Sequence, residues 1–172
     1  RCDVFFLPTS WSMTHTDART EATKNGARGA TMCEVTEDCL CTGGILGDYE
    51  ENDRRGRNLG AVMAQGTTIR MTSPGGTDLT GKIEARPVQY ETGLFREPGQ
   101  FGALPNSELN ISPIEGTTEG LIVGNVRLMG FGILREESIK IEVEEGLVTR
   151  VIGGAAAEYL NTILKSFGDD SA

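Results

Sequence analysis

The sequence lacks most of the patterns that identify a function by themselves. No stretch approaches the roughly 18 apolar residues that a membrane-spanning helix needs. The 16 lysines and arginines are scattered in a chain of net charge −9, so we expect no sequence-independent binding of nucleic acid. The motifs of phosphate loops, serine-hydrolase elbows and zinc proteases are also absent, which excludes assignment to those classes by motif.

The four cysteines do not form a recognisable framework. Three of them lie in the stretch CEVTEDCLC, and no second pair of cysteines or histidines is present to complete a tetrahedral zinc site. The first residues also lack the basic flank and apolar segment of a secretory signal. We therefore predict free thiols in a soluble, cytoplasmic protein.

The beginning of the sequence resembles the interior of a domain. Arg1 is followed almost at once by CDVFFLP, an apolar run typical of a buried strand. A buried strand seldom begins a natural protein. We therefore expect the chain to be the central part of a longer enzyme, or to have had residues removed upstream.

Residues 1–65 alternate apolar runs with helical patterns. The stretch DVFFLP predicts a short strand that ends at Pro8, and Thr16 or Asp17 can cap a helix that Gly26 terminates. A second strand over ARGATM, a short helical turn over TEDCLCTGGI and a longer helix over DYEENDRRGRNLGAVMAQG follow. This alternation predicts a parallel α/β layer, similar to half of a Rossmann-type fold.

From Gly66 onward the pattern becomes that of β-strands. TTIRMTS and TDLTGKIEA alternate around the turn PGG, which predicts a hairpin. Further strands over EGLIVGNVRLMG, ESIKIEVEEG and LVTRVIGG precede AAAEYLNTILKSF, which has a helical apolar stripe. The glycine- and proline-rich stretch EPGQFGALPNSELNISPIEG is predicted to be a long irregular loop. The fold class is therefore predicted to be α/β, with residues 66–172 forming a mostly antiparallel β-rich segment closed by a C-terminal helix.

His15, the only histidine, is the first candidate for catalysis. It stands between the first predicted strand and the first predicted helix, and open α/β sheets bind ligands at this carboxyl end of their strands. The start of a helix favours a neutral imidazole, which can accept a proton. Thr14 and Thr16 are candidates for orienting this ring and contacting a substrate. The alternative is a surface histidine where a loop meets a helix.

Glu108, in the stretch LPNSELN, is the second candidate. It lies in the predicted irregular loop beside Asn106, Ser107 and Asn110, and a carboxylate there can bind a metal ion or position a substrate. The alternative is a solvated side chain. The residue type alone does not decide between these two interpretations.

Four blocks of the sequence resemble one superfamily, in order and over nearly the whole chain. The blocks are LPTSWSMTHTDARTEATKNGARGATM, SPGGTDLTGKIEARP, PGQFGALPNSELNISPIEGTTEGLIV and IKIEVEEGLVTRVIGGAAAEYLNTIL. They resemble the superfamily that unites the metal-dependent aminopeptidases of the aminopeptidase T type with 2,5-dihydroxypyridine 5,6-dioxygenase. The order of the four blocks carries the resemblance, because each block by itself is only moderately specific.

The dioxygenase branch of this superfamily implies a role for His15. In that branch a histidine eleven residues before a Gly-x-Arg glycine is regarded as a general base, and His15 stands eleven residues before Gly26 of GAR. The resemblance implies opening of a hydroxylated nitrogen heterocycle, with Fe(II) held by two histidines and one aspartate. Because His15 is the sole histidine, we expect those ligands beyond Ala172 or in a partner.

The aminopeptidase branch implies a role for Glu108 instead. A glutamate in the PTEEVFT motif of that branch is a ligand of a two-metal site, and PNSELNI places Glu108 at the same offset from proline. This branch implies Zn or Co and the hydrolysis of N-terminal peptide bonds. A third interpretation is a catalytically incomplete binding module or subunit. In each case we expect a small-molecule substrate and a homo-oligomer, or a missing C-terminal portion that supplies metal ligands.

Overall fold

The computed structural model describes residues 2–134 and 137–168, and the ends of the chain at Arg1 and Ala172 lie outside the described residues. As the sequence predicts, the fold is mixed α/β, with a parallel sheet, a larger antiparallel sheet and a last helix. A 3₁₀ helix covers Gly43–Leu46. The strands and α-helices are, in chain order, β1 (Val4–Leu7), α1 (Asp17–Lys24), β2 (Arg28–Thr31), α2 (Glu37–Cys41), α3 (Tyr49–Met63), β3 (Thr68–Thr72), β4 (Asp78–Lys82), β5 (Gln89–Glu91), β6 (Phe101–Ala103), β7 (Glu108–Asn110), β8 (Glu119–Gly124), β9 (Arg127–Leu128), β10 (Gly132–Ile133), β11 (Ile139–Glu144), β12 (Leu147–Ile152) and α4 (Ala155–Phe167).

The chain divides into two compact units, and it passes between them more than once. The first unit contains Arg1–Met63 and Val88–Asn110, and the second contains Ala64–Pro87 and Ile111–Ala172. The sequence predicts one change of pattern near residue 65, close to the point where the chain first leaves the first unit. The chain later returns to the first unit, to which it adds β5, β6 and β7. The sequence pattern does not predict this return.

The first unit is built on the predicted parallel strands. Its main sheet has the order β1-β2-β6, with all neighbours parallel. Of the two predicted caps, Thr16 is the one that starts the helix between β1 and β2, because its side chain accepts a hydrogen bond from the amide of Arg19. The helix also ends where the sequence predicts. Gly26 follows it with a φ of +87°, a conformation that is unfavourable for residues with a side chain. Local capping signals therefore define α1 from both sides.

The predicted irregular loop over residues 97–116 contains two strands, which corrects that expectation. β6 pairs with β2 in parallel, and β7 pairs with β5 in antiparallel orientation. Strands of three residues are too short to show a period of two in the sequence. Gly102 lies in the predicted loop but belongs to β6. A Cβ atom at this position would lie 3.0 Å from the ring of Phe95. These strands depend on partners distant in the sequence.

The second unit consists of an antiparallel sheet and the helix α4, which packs on the hydrophobic core of this unit. The strand order is β12-β11-β8-β4-β3, and the predicted hairpin is the β3–β4 pair. The strand predicted over ESIKIEVEEG contains β11, and Ile139 and Val143, four residues apart, are buried on one of its faces. Ile139 forms a buried cluster with Leu134, Ala156 and Ala157, so α4 packs through its predicted apolar stripe. No helix in the described ranges is long and apolar enough to cross a bilayer.

Gly120 in β8 is a position where the backbone requires glycine. Its φ is +126°, and a Cβ atom there would lie 2.1 Å from the carbonyl oxygen of Asp78 in β4. We expect Gly120→Ala to lower the free energy of unfolding by about 2 kcal/mol or more. Urea unfolding of the purified variants measures this change.

Gly124→Ala is the matched control in the same strand. A Cβ atom at Gly124 would meet nothing within 4 Å. We therefore expect its free energy of unfolding to stay within about 0.5 kcal/mol of the wild-type value. Equal unfolding midpoints for the Gly120 and Gly124 variants would contradict the register between β4 and β8.

Candidate functional site

The carboxyl ends of the parallel strands bring three segments of the chain together. β1, β2 and β6 run in the same direction, so the segments that follow them leave the sheet at one edge. Backbone hydrogen bonds connect these segments, since the amide of Glu34 donates to the Thr9 carbonyl at 2.9 Å and the amide of Leu104 to the Thr31 carbonyl at 3.0 Å. Open α/β sheets bind their ligands at this edge.

The structure places His15 at this edge. It lies in the turn between β1 and α1, directly before the residue that caps α1, and its side chain is exposed. The Ser12 hydroxyl donates to Thr14 Oγ1 at 2.9 Å and accepts the Thr14 amide at 3.2 Å, which orders the segment that leads into the turn. A small molecule can therefore reach the imidazole from solvent.

The two threonines beside His15 have different local contacts. The Thr16 hydroxyl donates to the Met13 carbonyl at 2.9 Å and accepts the Arg19 amide at 3.4 Å, so it is used in capping α1. The Thr14 hydroxyl accepts from Ser12 and retains its own proton for a further acceptor. Of the two predicted substrate contacts, Thr14 has the greater capacity to donate to a substrate oxygen.

Arg19 holds the turn that carries His15, and the sequence analysis missed this residue. Its guanidinium lies 4.8 Å from the centre of the Phe101 ring in β6. Its Nε donates to the Thr14 carbonyl at 2.7 Å. These contacts connect the turn to an outer strand of the sheet. The only sequence signal was an arginine in the first turn of a helix, which does not distinguish it from a surface arginine.

A first cavity, of about 350 Å³, opens beside the carboxyl ends of β2 and β6. Two cysteines and two carboxylates contribute to its wall. The prediction of free thiols is confirmed, because all four cysteines are free and exposed. The lining residues are Met32, Cys33, Glu34, Val35, Asp38, Cys39, Thr42, Gly43, Gly44, Leu104 and Pro105.

Glu108 is exposed and lies at the start of β7. In the β5–β7 ladder it stands opposite Glu91, so two carboxylates occupy neighbouring positions on one face. The Glu91 carboxylate accepts a hydrogen bond from Asn106 Nδ2 at 3.0 Å. Glu108 also contributes to a second cavity, of about 430 Å³, beside α3. The residues lining this cavity are Asn52, Arg55, Gly56, Leu59, Met63, Thr92, Ser107, Glu108 and Leu109.

Ion pairs along α3 set the charge beside the second cavity. Glu51 accepts hydrogen bonds from Arg54 Nε at 2.7 Å and from Arg55 Nε at 2.6 Å. The bonds from Arg54 and Arg55 lower the pKa of Glu51 from 4.5 to about 2. The hydrogen bond from Arg57 likewise lowers the pKa of Asp53. The helix therefore presents paired charges, and Arg55 reaches the cavity wall while it is held by Glu51.

The two candidate residues from the sequence lie in different places. His15 belongs to the turn before α1, whereas Glu108 lines the second cavity, whose wall includes neither His15 nor Thr14 nor Thr16. Across residues 2–134 and 137–168, no three histidine, cysteine, aspartate or glutamate side chains are grouped so that they could hold a metal ion. The described residues thus do not assemble a metal centre by themselves.

Comparison with known protein families returns a match over nearly the whole chain. The model of the NicX family, described as 2,5-dihydroxypyridine 5,6-dioxygenase, matches residues 2–172. A curated 2,5-dihydroxypyridine 5,6-dioxygenase from Pseudomonas putida KT2440 is 30% identical over 122 residues, which cover 70% of this chain and 35% of that protein.

Solved structures with a similar fold include two enzymes. The 2,5-dihydroxypyridine dioxygenase from Pseudomonas putida KT2440 has a TM-score of 0.78 and 26% identity, covering 98% of this chain and 47% of that chain. Wild-type AmpT from Thermus thermophilus has a TM-score of 0.56 and 15% identity, covering 90% of this chain and 55% of that chain. At 15% identity the similarity to AmpT shows the fold alone.

The class defined by the matching family is that of the dioxygenases, which are oxidoreductases. This chain belongs to the 2,5-dihydroxypyridine 5,6-dioxygenase family, and the resemblance seen in its four sequence blocks is thereby confirmed. The chain spans about a third of the length of the curated relative and about half of the solved one.

We predict that the Glu51 carboxyl group titrates near pH 2. Its pKa in the folded protein lies below the ordinary value of 4.5, so its contacts stabilise the fold above about pH 4.5 and lose that effect as the pH falls towards 2. Titration of the carboxyl carbon by NMR measures the midpoint. Replacing both Arg54 and Arg55 by Gln should return it to about 4.5. A wild-type midpoint near 4.5 would contradict these ion pairs.

Proposed function

We propose that this chain is part of an enzyme that opens the ring of a small hydroxylated nitrogen heterocycle, with His15 as general base. The observation that carries the proposal is the exposed imidazole at the carboxyl edge of the parallel sheet, in a turn ordered by Ser12 and Arg19. Membership of the dioxygenase family supports the substrate class, and 2,5-dihydroxypyridine is the substrate we would test first.

The proposed step is the removal of a proton from a ring hydroxyl. A neutral His15 nitrogen would accept this proton, which leaves a more electron-rich and more readily oxidised ring. The Thr14 hydroxyl would donate to a substrate oxygen, because its proton is not used in the bond from Ser12. Thr16 would hold the cap that positions His15 and would contact the substrate through the remaining lone pair of its hydroxyl.

A metal ion is implied by the dioxygenase family, and Fe(II) is the metal we propose. It would supply the site at which oxygen chemistry occurs. The donors of this chain do not fit a ferrous triad of two histidines and one carboxylate, because His15 is the sole histidine. We therefore propose that the ligands come from outside these 172 residues, in another part of the protein or in a second copy. The proposed proton transfer to His15 does not depend on which residues hold the metal.

A second candidate function is the hydrolysis of N-terminal peptide bonds at a pair of divalent ions, Zn or Co. The register that sets Glu108 opposite Glu91 favours it, because paired carboxylates are typical ligands of two-metal hydrolases. A third candidate is a catalytically incomplete module that binds a small molecule or completes the site of a partner. The lack of a grouped metal-donor set among the described residues supports that third candidate.

The cellular location and the assembly of the protein remain predictions. The four free cysteines support a cytoplasmic location, because thiols persist in a reducing compartment. A homo-oligomer would allow one copy to supply groups to the site of another. Light scattering on the purified protein measures the assembly directly.

His15→Gln tests the general base. With the complete protein loaded with Fe(II), we expect kcat for 2,5-dihydroxypyridine to fall by about 10²- to 10⁴-fold, because an amide cannot accept the proton at neutral pH. The unfolding midpoint should stay close to that of the wild type, since the side chain is exposed. Glu21→Gln, on the exposed side of α1, is the control and should retain activity. Full activity of His15→Gln, or a loss explained by unfolding, would return His15 to a structural role.

Glu108→Gln separates ring opening from peptide hydrolysis. If the chain belongs to a ring-opening enzyme, this variant should keep its bound metal and its activity on 2,5-dihydroxypyridine. If Glu108 is a ligand of a two-metal site, the variant should lose bound metal together with aminopeptidase activity. Metal analysis and both assays on the complete protein decide between these results. Loss of metal in Glu108→Gln would overturn our first assignment and support the second.

A further inference from the structure

The first cavity has two thiols in its wall and is separate from both candidate residues. Cys33 lies just after β2, and Cys39 lies in α2, with five residues between them in the chain. Both line the cavity of about 350 Å³, and both are exposed. Neither His15 nor Glu108 belongs to the wall of this cavity, so a role for the thiols does not depend on the proposed ring-opening reaction.

Cys39 is held by Thr36, the residue that caps α2. The Thr36 hydroxyl donates to Cys39 Sγ at 3.2 Å, and the Cys39 amide donates back to Thr36 Oγ1 at 3.4 Å. The hydrogen bond to sulfur favours the thiolate and lowers the pKa of Cys39. Asp38 acts in the opposite direction, and Glu34 is the other carboxylate in the cavity wall. The hydrogen bonds from Thr36 outweigh the opposing effects of burial and of the Asp38 charge.

Cys33 is a second thiol that opens onto the same space. Its Sγ donates to the Ser10 carbonyl at 3.5 Å, a long contact that an exposed side chain can leave. The segment that carries it is short and connects β2 directly to α2. Cys33 and Cys39 therefore open onto the same cavity.

We propose that Cys39 and Cys33 form a redox-active dithiol, in which Cys39 is attacked by a small peroxide and Cys33 resolves the product. The Cys39 thiolate displaces hydroxide from the peroxide, forming an S–O bond as the O–O bond breaks, and the sulfur is oxidised to a sulfenic acid. The released hydroxide takes up a proton to give water. The Cys33 sulfur then attacks this sulfur, the S–O bond breaks, and water leaves with the Cys33 proton. The product is a disulfide that ties the segment after β2 to α2.

Cys41 is the matched control because it lies in the same helix. It is also free and exposed, but it does not line the cavity. Thr36 donates its hydroxyl proton to Cys39 and not to Cys41. A difference in reactivity between the two cysteines therefore reports the effect of Thr36 and the cavity, and not simple exposure.

The first experiment measures the alkylation rate of each cysteine. The purified protein is treated with limiting iodoacetamide at neutral pH, and each site is quantified by mass spectrometry. We expect Cys39 to react about 3- to 10-fold faster than Cys41, because more of it is thiolate. Thr36→Val should remove this difference, whereas Thr36→Ser, which keeps the hydroxyl, should preserve it. Equal rates for Cys39 and Cys41 in the wild type would overturn the assignment of the attacking thiol.

The second experiment follows the products of oxidation by hydrogen peroxide. We expect the wild type to lose two thiols and to give a peptide pair linked through Cys33 and Cys39. Cys33→Ser should instead accumulate a sulfenic acid on Cys39 that dimedone traps, and Cys41→Ser should behave as the wild type. Linkage of Cys39 to Cys41, or failure to form an intramolecular disulfide, would overturn the pairing.

Discussion

The parallel sheet of this protein depends on the absence of a side chain at Gly29. This residue lies in the central strand, and a Cβ atom there would lie 2.6 Å from the ring of Phe5 in the neighbouring strand. Because the position is open, the rings of Phe5 and Phe101 stack across it with their centres 6.0 Å apart. Arg19 then covers Phe101 and bonds to the turn that precedes α1. The location of His15 therefore follows from a packing arrangement that begins at a glycine.

Family membership and local chemistry account for different parts of the proposed reaction. The described residues supply an exposed imidazole and two cavities in the first unit, but they do not supply a grouped set of metal donors. The family match explains the fold and the order of the sequence blocks over nearly the whole chain. It does not by itself place a metal on these residues. The redox reaction proposed for Cys33 and Cys39 in the first cavity requires neither the metal nor His15.

Several features could be predicted because neighbouring residues in the chain specify them. Thr16 caps α1 as its hydroxyl and position suggest, and Gly26 ends the same helix with a positive φ. The β3–β4 hairpin follows from alternating residues on either side of a tight turn. The position of His15 between β1 and α1 in the chain could also be predicted, because it depends only on the order of those two elements. The contact of Arg19 with Phe101 could not be predicted, because it joins residues that are distant in the sequence.

The sequence by itself determined the class of the fold, the two ends of α1, the β3–β4 hairpin and the superfamily. These features depend on short-range patterns or on residue order along the chain. Only the tertiary structure decided that residues 97–116 contain β6 and β7, that Glu108 faces Glu91, and that Cys33 shares a cavity with Cys39. The physical reason is that strand pairing and cavity walls are made by segments that meet only when the chain folds. A strand of three residues or a single cysteine carries too little local pattern to reveal such a partner.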